Sequence, residues 1–253
     1  IYKKGQGSDA SNYRPVSFTA VLSKVMESVI KDEVVRVLEE KQRLTRHQHG
    51  FTKGRSCLTN LLETLEAWTG LLEDGYGVDV IFLDYRKAFD TVPHRKLLEK
   101  LKGYGFTGRL GKWTESFLLG RLMRVVVQGK SSSWVRVRSG VPQGSGLGPL
   151  LFLLYVEDLP ESIKNGIKMF ADDTKIWAAI GSAADGADLQ RDLDRLREWT
   201  DRWQLQLNLE KCKVMHIGHR LGTAYEVGPA NGRVRLQETN EERDLGIIIT
   251  KDL

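Results

Sequence analysis

Residues 168–177 read KMFADDTKIW, two aspartates, Asp172 and Asp173, side by side between apolar runs. Like charges this close repel and raise each other's pKa. Two readings explain such a pair. Asp favours tight turns, because its side chain bonds nearby backbone N–H groups. A bound divalent cation also inverts the local charge logic and makes neighbouring carboxylates favourable. The flanking stretches IKMFA and KIWAAI read as the two strands of a hairpin, with the aspartates in its turn.

Outward from this hairpin the periodicity alternates between strand and helix. VDVIFLDY, 78–85, is a short, nearly continuous apolar run and reads as a buried strand ending at Asp84. Helices are expected over 95–101, 108–119 and 145–159, and over 189–203, where Leu189, Leu193, Leu196, Trp199 and Trp203 share one face. RVVVQG and WVRVRSG suggest a hairpin turning at KSSS, and CKVMHIG and DLGIIIT close the chain as strands. From residue 78 on, this is a β-α-β-β-α-β plan of the α+β class: an antiparallel sheet with helices on one face. The segment before it is mostly helical and basic, with helical spacing over 21–38 and 57–72 and Ser56 as an N-cap.

The chain has 253 residues, 41% of them hydrophobic, enough for a sizeable core. The formal net charge is +5, which permits a polyanionic partner. Residues 41–55 and 121–138 each contain five Lys/Arg and no acid. A basic stretch is most often a solvated face, so each is a modest pointer to a nucleic-acid track. Cys57 and Cys212 belong to no C-x-x-C pair and read as free thiols of a reducing compartment. Cys212, His216 and His219 lie close in sequence, but three such residues read as strand positions near a turn rather than zinc ligands. No signal peptide opens the chain and no apolar run reaches 18 residues, so a secreted or membrane-spanning protein is not expected. The first residue is Ile1, and the chain reads as part of something longer.

In this plan Asp84 ends one strand while Asp172 and Asp173 occupy a turn. If those elements neighbour each other, three carboxylates converge at one sheet edge. Mg²⁺ prefers such hard oxygen ligands. A pair of such ions, typically roughly 3.5–4 Å apart, activates an attacking hydroxyl and stabilises a leaving phosphate.

Seven stretches then become recognisable in order: NYRPVSFTAVLSKVMESVI, QHGFTKGRSCLTNLLE, FLDYRKAFDTVPH, SGVPQGSGLGPLLFLLYVEDLP, FADD, LQLNLEKCKVMHIG and RDLGIII. They resemble the successive blocks of a reverse transcriptase from a non-LTR retrotransposon of the LINE or jockey-like type. The resemblance covers nearly the whole chain. It implies right-hand polymerase fingers, mainly 1–75 and partly 101–140, and a palm, mainly 76–253, with the thumb absent or truncated. It also implies Mg²⁺ as cofactor, with Mn²⁺ as substitute, and an RNA template, a DNA primer and dNTPs as partners. No membrane is implied; the expected place is the nucleus, with the element's RNA.

By the same resemblance, Asp84 matches the metal-binding aspartate of the first palm block, and Asp172 and Asp173 the paired aspartates of the third. Phe89 matches the aromatic that screens the sugar of the incoming nucleotide, and Gln143 and Gly144 the loop beneath it. Lys4 and Arg14 match triphosphate-holding residues of the fingers, with Lys3 an alternative to Lys4. Lys211, or Lys213, matches a lysine near the leaving group. Lys53, Arg55, Arg121 and Arg124 are candidates for nucleic-acid phosphates. Three positions depart from the pattern: Thr52 stands where Arg is usual, Gly146 where a larger apolar residue is usual, and Glu157 where Asn is usual. A group II intron-type maturase and a non-catalytic RNA- or DNA-binding remnant are the competing readings.

Overall fold

The computed structural model describes all residues except 3–4, 8–11, 14–15, 128, 219–221 and 230, together with the side chain of residue 127. In chain order the elements are α1 (Val21–Glu40), α2 (Cys57–Glu73), β1 (Gly77–Leu83), α3 (Ala88–Thr91), α4 (His94–Gly103), α5 (Gly108–Leu118), β2 (Leu122–Met123), β3 (Val126–Val127), β4 (Lys130–Ser131), β5 (Val135–Arg136) and α6 (Gly148–Val156). There follow β6 (Gly166–Phe170), β7 (Asp173–Ile180), α7 (Ala183–Trp203), β8 (Lys213–Ile217), β9 (Glu226–Val227), β10 (Val234–Arg235), β11 (Gln237–Glu238), β12 (Glu241–Asp244) and β13 (Ile247–Thr250). Two compact units interleave in sequence: Ile1–Arg43 with Phe89–Tyr155, and Leu44–Ala88 with Val156–Leu253.

The second unit is built on a five-stranded sheet in the order β11-β8-β1-β7-β6. β1 pairs antiparallel with both β7 and β8, β6 pairs antiparallel with β7, and β11 joins β8 in parallel. The strands β1, β6, β7 and β8 with their connections are the β-α-β-β-α-β plan. β1 is apolar except at Asp79, because both its faces are covered. On one face α2 buries Leu61 and Trp68 against Val78, Val80, Trp177, Met215 and Ile217. The Trp68 ring meets Trp177 edge-on at 6.0 Å. α2 starts where expected, because Ser56 and Thr59 close a reciprocal capping box. On the other face α7 packs on β7 and buries Leu189, Leu193 and Leu196. Each such leucine contributes about 2 kcal/mol by leaving water. α7 begins six residues before the expected 189, at a second capping box between Ser182 and Asp185. Its first turns are too polar to show in the periodicity.

Asp79 is the one charged residue inside β1, and it is fully buried. Its carboxylate accepts bonds from the Tyr225 hydroxyl at 2.6 Å, the Thr223 hydroxyl at 2.5 Å and His216 Nδ1 at 2.5 Å. These bonds hold it below the usual carboxylate range against the opposing effect of burial, and raise His216 in turn. Thr223 and Tyr225 thereby tie β1 to the segment after β8, while His216 binds Asp79 from the neighbouring position on β8 itself.

In the first unit α4 packs on α5, and Leu97, Leu101, Phe106 and Leu118 are all buried. α6 is apolar all round and is buried accordingly. It stops at Val156, short of the expected 159, and Pro160 opens a 3₁₀ turn over Leu159–Ser162. α1 spans the expected helix, but Val21, Leu22, Val25 and Val29 of its apolar stripe are exposed. The hairpin expected to turn at KSSS reverses earlier: Gly129 takes φ 77 and Lys130–Ser131 already belongs to β4. In the second unit, the strand expected at DLGIIIT is a hairpin. β12 and β13 pair antiparallel around Leu245 and Gly246, whose φ values of 49 and 96 suit a tight two-residue turn.

Candidate active site

The end of the second unit's sheet is set by register. Leu83 of β1 lies opposite Thr174 of β7, and Phe82 lies opposite Lys213 of β8. Continued past the strand end, the same registers put Asp84 opposite Asp173 on one side and Lys211 on the other. Lys211 Nζ donates to the Asp84 carboxylate at 3.1 and 3.3 Å. The Asp84 backbone is fixed too: its carbonyl accepts from the Asn208 N–H at 2.8 Å and its N–H points at the Cys212 sulfur at 3.5 Å. Lys213 is occupied elsewhere, 3.2 Å from Glu242. Of the two lysines, Lys211 is therefore the one at the carboxylate edge.

Asp172 and Asp173 belong to the tip of the β6–β7 hairpin. Phe170 pairs with Asp173, leaving Ala171 and Asp172 as a two-residue loop. Ala171 has φ 56, a left-handed conformation that costs a residue with a Cβ about 1–2 kcal/mol. The turn reading is thus met in position: Asp172 is in the turn, and Asp173 starts the strand.

Asp173 reaches solvent at its surface, but dense protein surrounds it on the sheet side. That burial, and then the carboxylates of Asp172, Asp244 and Asp84, push its pKa up to about 6, with Lys175 opposing. Beneath it runs a buried ion pair between Lys175 of β7 and Asp244 of β12, whose side chains are 4% and 8% exposed. Burial holds the Lys175 amine below its usual range, against the attraction of Asp244. Lys175 and Lys213 lie on either side of Phe82 in one row across the sheet. Through Asp244 and Glu242 they pin the hairpin β12–β13 below the carboxylate edge.

Among the described residues, no three His, Cys, Asp or Glu side chains are already gathered as a metal ligand set. The Asp84 carboxylate is turned to Lys211 instead. The donor chemistry still fits a hard divalent cation: carboxylate oxygens only, with an excess of negative charge at Asp173 that a cation would relieve.

The first unit assembles a different group. The loop carrying Gln143 and Gly144 is laid along the segment after Phe89. The Val141 N–H donates to the Phe89 carbonyl at 2.8 Å, and the Gly140 N–H to the Val92 carbonyl at 2.8 Å. Gln143 Nε2 donates to Asp90 Oδ1 at 2.8 Å. Phe89 is half-buried and stacks on Phe152, ring centroids 4.2 Å apart. Gly144 has φ 96, and a Cβ there would lie 2.8 Å from the Ser17 carbonyl, so only glycine serves. Glu27 of α1, fully buried, accepts the N–H groups of Gly146 at 2.7 Å and Leu147 at 3.2 Å, ahead of α6. Lys3, Lys4 and Arg14 lie outside the described residues.

The basic candidates differ in what they are free to do. Lys53 and Arg124 are exposed, and Arg124 sits 4.7 Å over the Trp134 ring. Arg121 is half-buried over Phe117, and burial lowers its pKa. Arg55 is committed to the protein: its Nη1 donates to the carbonyls of Thr45 at 2.9 Å and Gln48 at 2.6 Å. Sequence reasoning missed Glu27, Lys175 and Asp244. A lysine inside the apolar run KIWAAI was the only signal for any of them.

Comparison with known proteins agrees with this architecture. A family model described as reverse transcriptase (RNA-dependent DNA polymerase) matches residues 1–249. The RNA-directed DNA polymerase from the mobile element jockey of Drosophila melanogaster is 31% identical over 267 residues, across the whole of this chain and 28% of the relative. The probable RNA-directed DNA polymerase from transposon X-element of the same fly is 33% identical, over 83% of this chain and 24% of the relative. The chain thus spans about a quarter of the length of these relatives. The solved structure of apo telomerase from Candida tropicalis shares the fold, at 11% identity and a TM-score of 0.57 over 90% of this chain and 40% of that one. Matched by that family model over nearly its full length, the chain belongs to the reverse transcriptase family.

Proposed function

We propose that the chain is the catalytic core of an RNA-directed DNA polymerase that copies a retrotransposon's RNA in the nucleus. Its substrates are an RNA template, a DNA primer and dNTPs. Residues 1–75 are mainly fingers and 76–253 mainly palm, with 101–140 partly fingers. The observation that carries this reading is the register that aligns Asp173, Asp84 and Lys211 across β7, β1 and β8.

Asp84, Asp172 and Asp173 hold Mg²⁺, or Mn²⁺ in its place. When bound, the metal lowers the pKa of the primer hydroxyl and offsets charge on the leaving phosphate. The protein's own part is positional. Asp84 is fixed through its backbone, and the hairpin tip presents Asp172 and Asp173 beside it. Lys211 Nζ, which donates to Asp84 at 3.1 Å, is the proton donor to the leaving group. Phe89 screens the nucleotide sugar, and Lys4 with Arg14 holds the triphosphate. Gln143 and Gly144 support the base.

Primer extension on poly(rA)·oligo(dT) with Mg²⁺ tests this. The parent chain should extend the primer, and Asp172→Asn should abolish extension while binding primer–template within about twofold of parent. Extension by Asp172→Asn at the parent rate would overturn the site assignment. A parent that binds but never extends would favour a non-catalytic remnant.

A further inference from the structure

The hairpin tip that carries Asp172 and Asp173 is gripped by one side chain. Gln48 is buried, 2% exposed. Its Oε1 accepts the Ala171 N–H at 2.7 Å, and its Nε2 donates to the Ala171 carbonyl at 3.2 Å. One amide thus satisfies both backbone groups of the loop residue next to Asp172, as a neighbouring strand would. The same Oε1 accepts the Gly50 N–H at 2.7 Å.

Gln48 is itself anchored. The His49 N–H donates to the Met169 carbonyl and the Met169 N–H to the His47 carbonyl, both at 2.9 Å. This lays 47–49 along β6. The Gln48 carbonyl accepts Arg55 Nη1 at 2.6 Å. Gly50 closes the approach: a Cβ there would stand 2.4 Å from the Ala171 nitrogen. Ala171 holds φ 56, which an alanine does not choose by itself.

We propose that Gln48 is a positioning residue for the catalytic turn: by clasping both backbone groups of Ala171 it aims the Asp172 and Asp173 carboxylates for divalent metal. This rests on the metal-site reading above. Groups that orient metal ligands without touching the metal typically change affinity by about 10–100-fold when lost.

The test is Mn²⁺ binding to the chain followed by electron paramagnetic resonance, alongside primer–template binding and circular dichroism. Gln48→Met should weaken Mn²⁺ binding by about 10-fold or more, while primer–template affinity stays within about twofold. Adding Ala171→Gly should restore Mn²⁺ affinity to within about threefold of parent, because glycine takes positive φ unaided. A folded Gln48→Met that binds Mn²⁺ like the parent overturns the inference, as does a double variant with no recovery. If Gln48→Met fails to fold, Gly50→Ala pushes on the Ala171 nitrogen from the other side. Parent-like binding in folded Gly50→Ala then overturns it. If Asp172→Asn binds Mn²⁺ like the parent, the metal-site reading itself fails and the inference falls with it.

Discussion

Glu157 should make the fold less stable as the pH rises. It is 8% exposed and its Oε1 accepts the Thr45 N–H. Burial pushes its pKa from 4.5 up to about 7, aided by Asp158 and Glu161 and opposed by the Thr45 N–H and Arg55. The native state therefore favours the protonated acid. The stabilisation this gives is complete below the unfolded pKa of 4.5 and is lost as the pH climbs through about 7. The gap between those two values, at about 1.36 kcal/mol per pH unit, corresponds to about 3 kcal/mol. Glu157→Gln keeps the Oε1 acceptor for Thr45 and never carries the charge. It should match the parent at pH 4.5 and exceed it by up to about 3 kcal/mol at pH 8. Urea unfolding followed by tryptophan fluorescence at about pH 4.5, 6 and 8 reads the difference directly. A variant no more stable than the parent at pH 8, or a difference independent of pH, would refute the reasoning.

Lys175→Met should destabilise the chain by about 3–5 kcal/mol, because it leaves Asp244 buried and unpaired; adding Asp244→Leu should recover most of that in urea unfolding, and an additive double variant would contradict the pair. Primer–template affinity should fall steeply with salt, with a log–log slope of about −0.7 to −0.9 per phosphate neutralised by the stretches 41–55 and 121–138; an affinity flat between low and moderate salt rules those contacts out. Phe89→Val should lose about 1 kcal/mol with the stack on Phe152, and should also lower the ratio of kcat/KM for dGTP to that for rGTP. An unchanged ratio in the folded variant sinks the gate role.

Periodicity made the sheet and its helices legible. β1, β6, β7 and the buried face of α7 were readable because each repeats its apolar residues at the period of its own geometry. The three aspartates stood out in the sequence as a candidate site because they interrupt or end apolar runs. What escaped was everything that depends on register or on a side chain meeting backbone. Lys211 and Lys213 are two residues apart at the start of β8 and have the same parity, so no period separates them; only the pairing of Phe82 with Lys213 sends one to Glu242 and the other to Asp84. Glu27 reads as an ordinary polar residue of a surface helix, yet it holds the turn before α6. The grip of Gln48 on Ala171 joins residues 123 apart and repeats nowhere. The β12–β13 turn was hidden because it places Leu245, not the usual Asn or Asp, at positive φ.

The lateral row across β7, β1 and β8 also has a history in time. Asp84 and Lys211 are 127 residues apart in sequence. On a ribosome adding about 5–20 residues per second, roughly 6–25 s separate the emergence of one from that of the other. Throughout that interval the nascent chain displays Asp84 on a strand whose β8 edge is bare, a template for wrong pairing. Long-range pairings of this kind also slow folding. A messenger broken anywhere between the two codons therefore yields a product that carries the FLDY strand and can never finish the edge it belongs to.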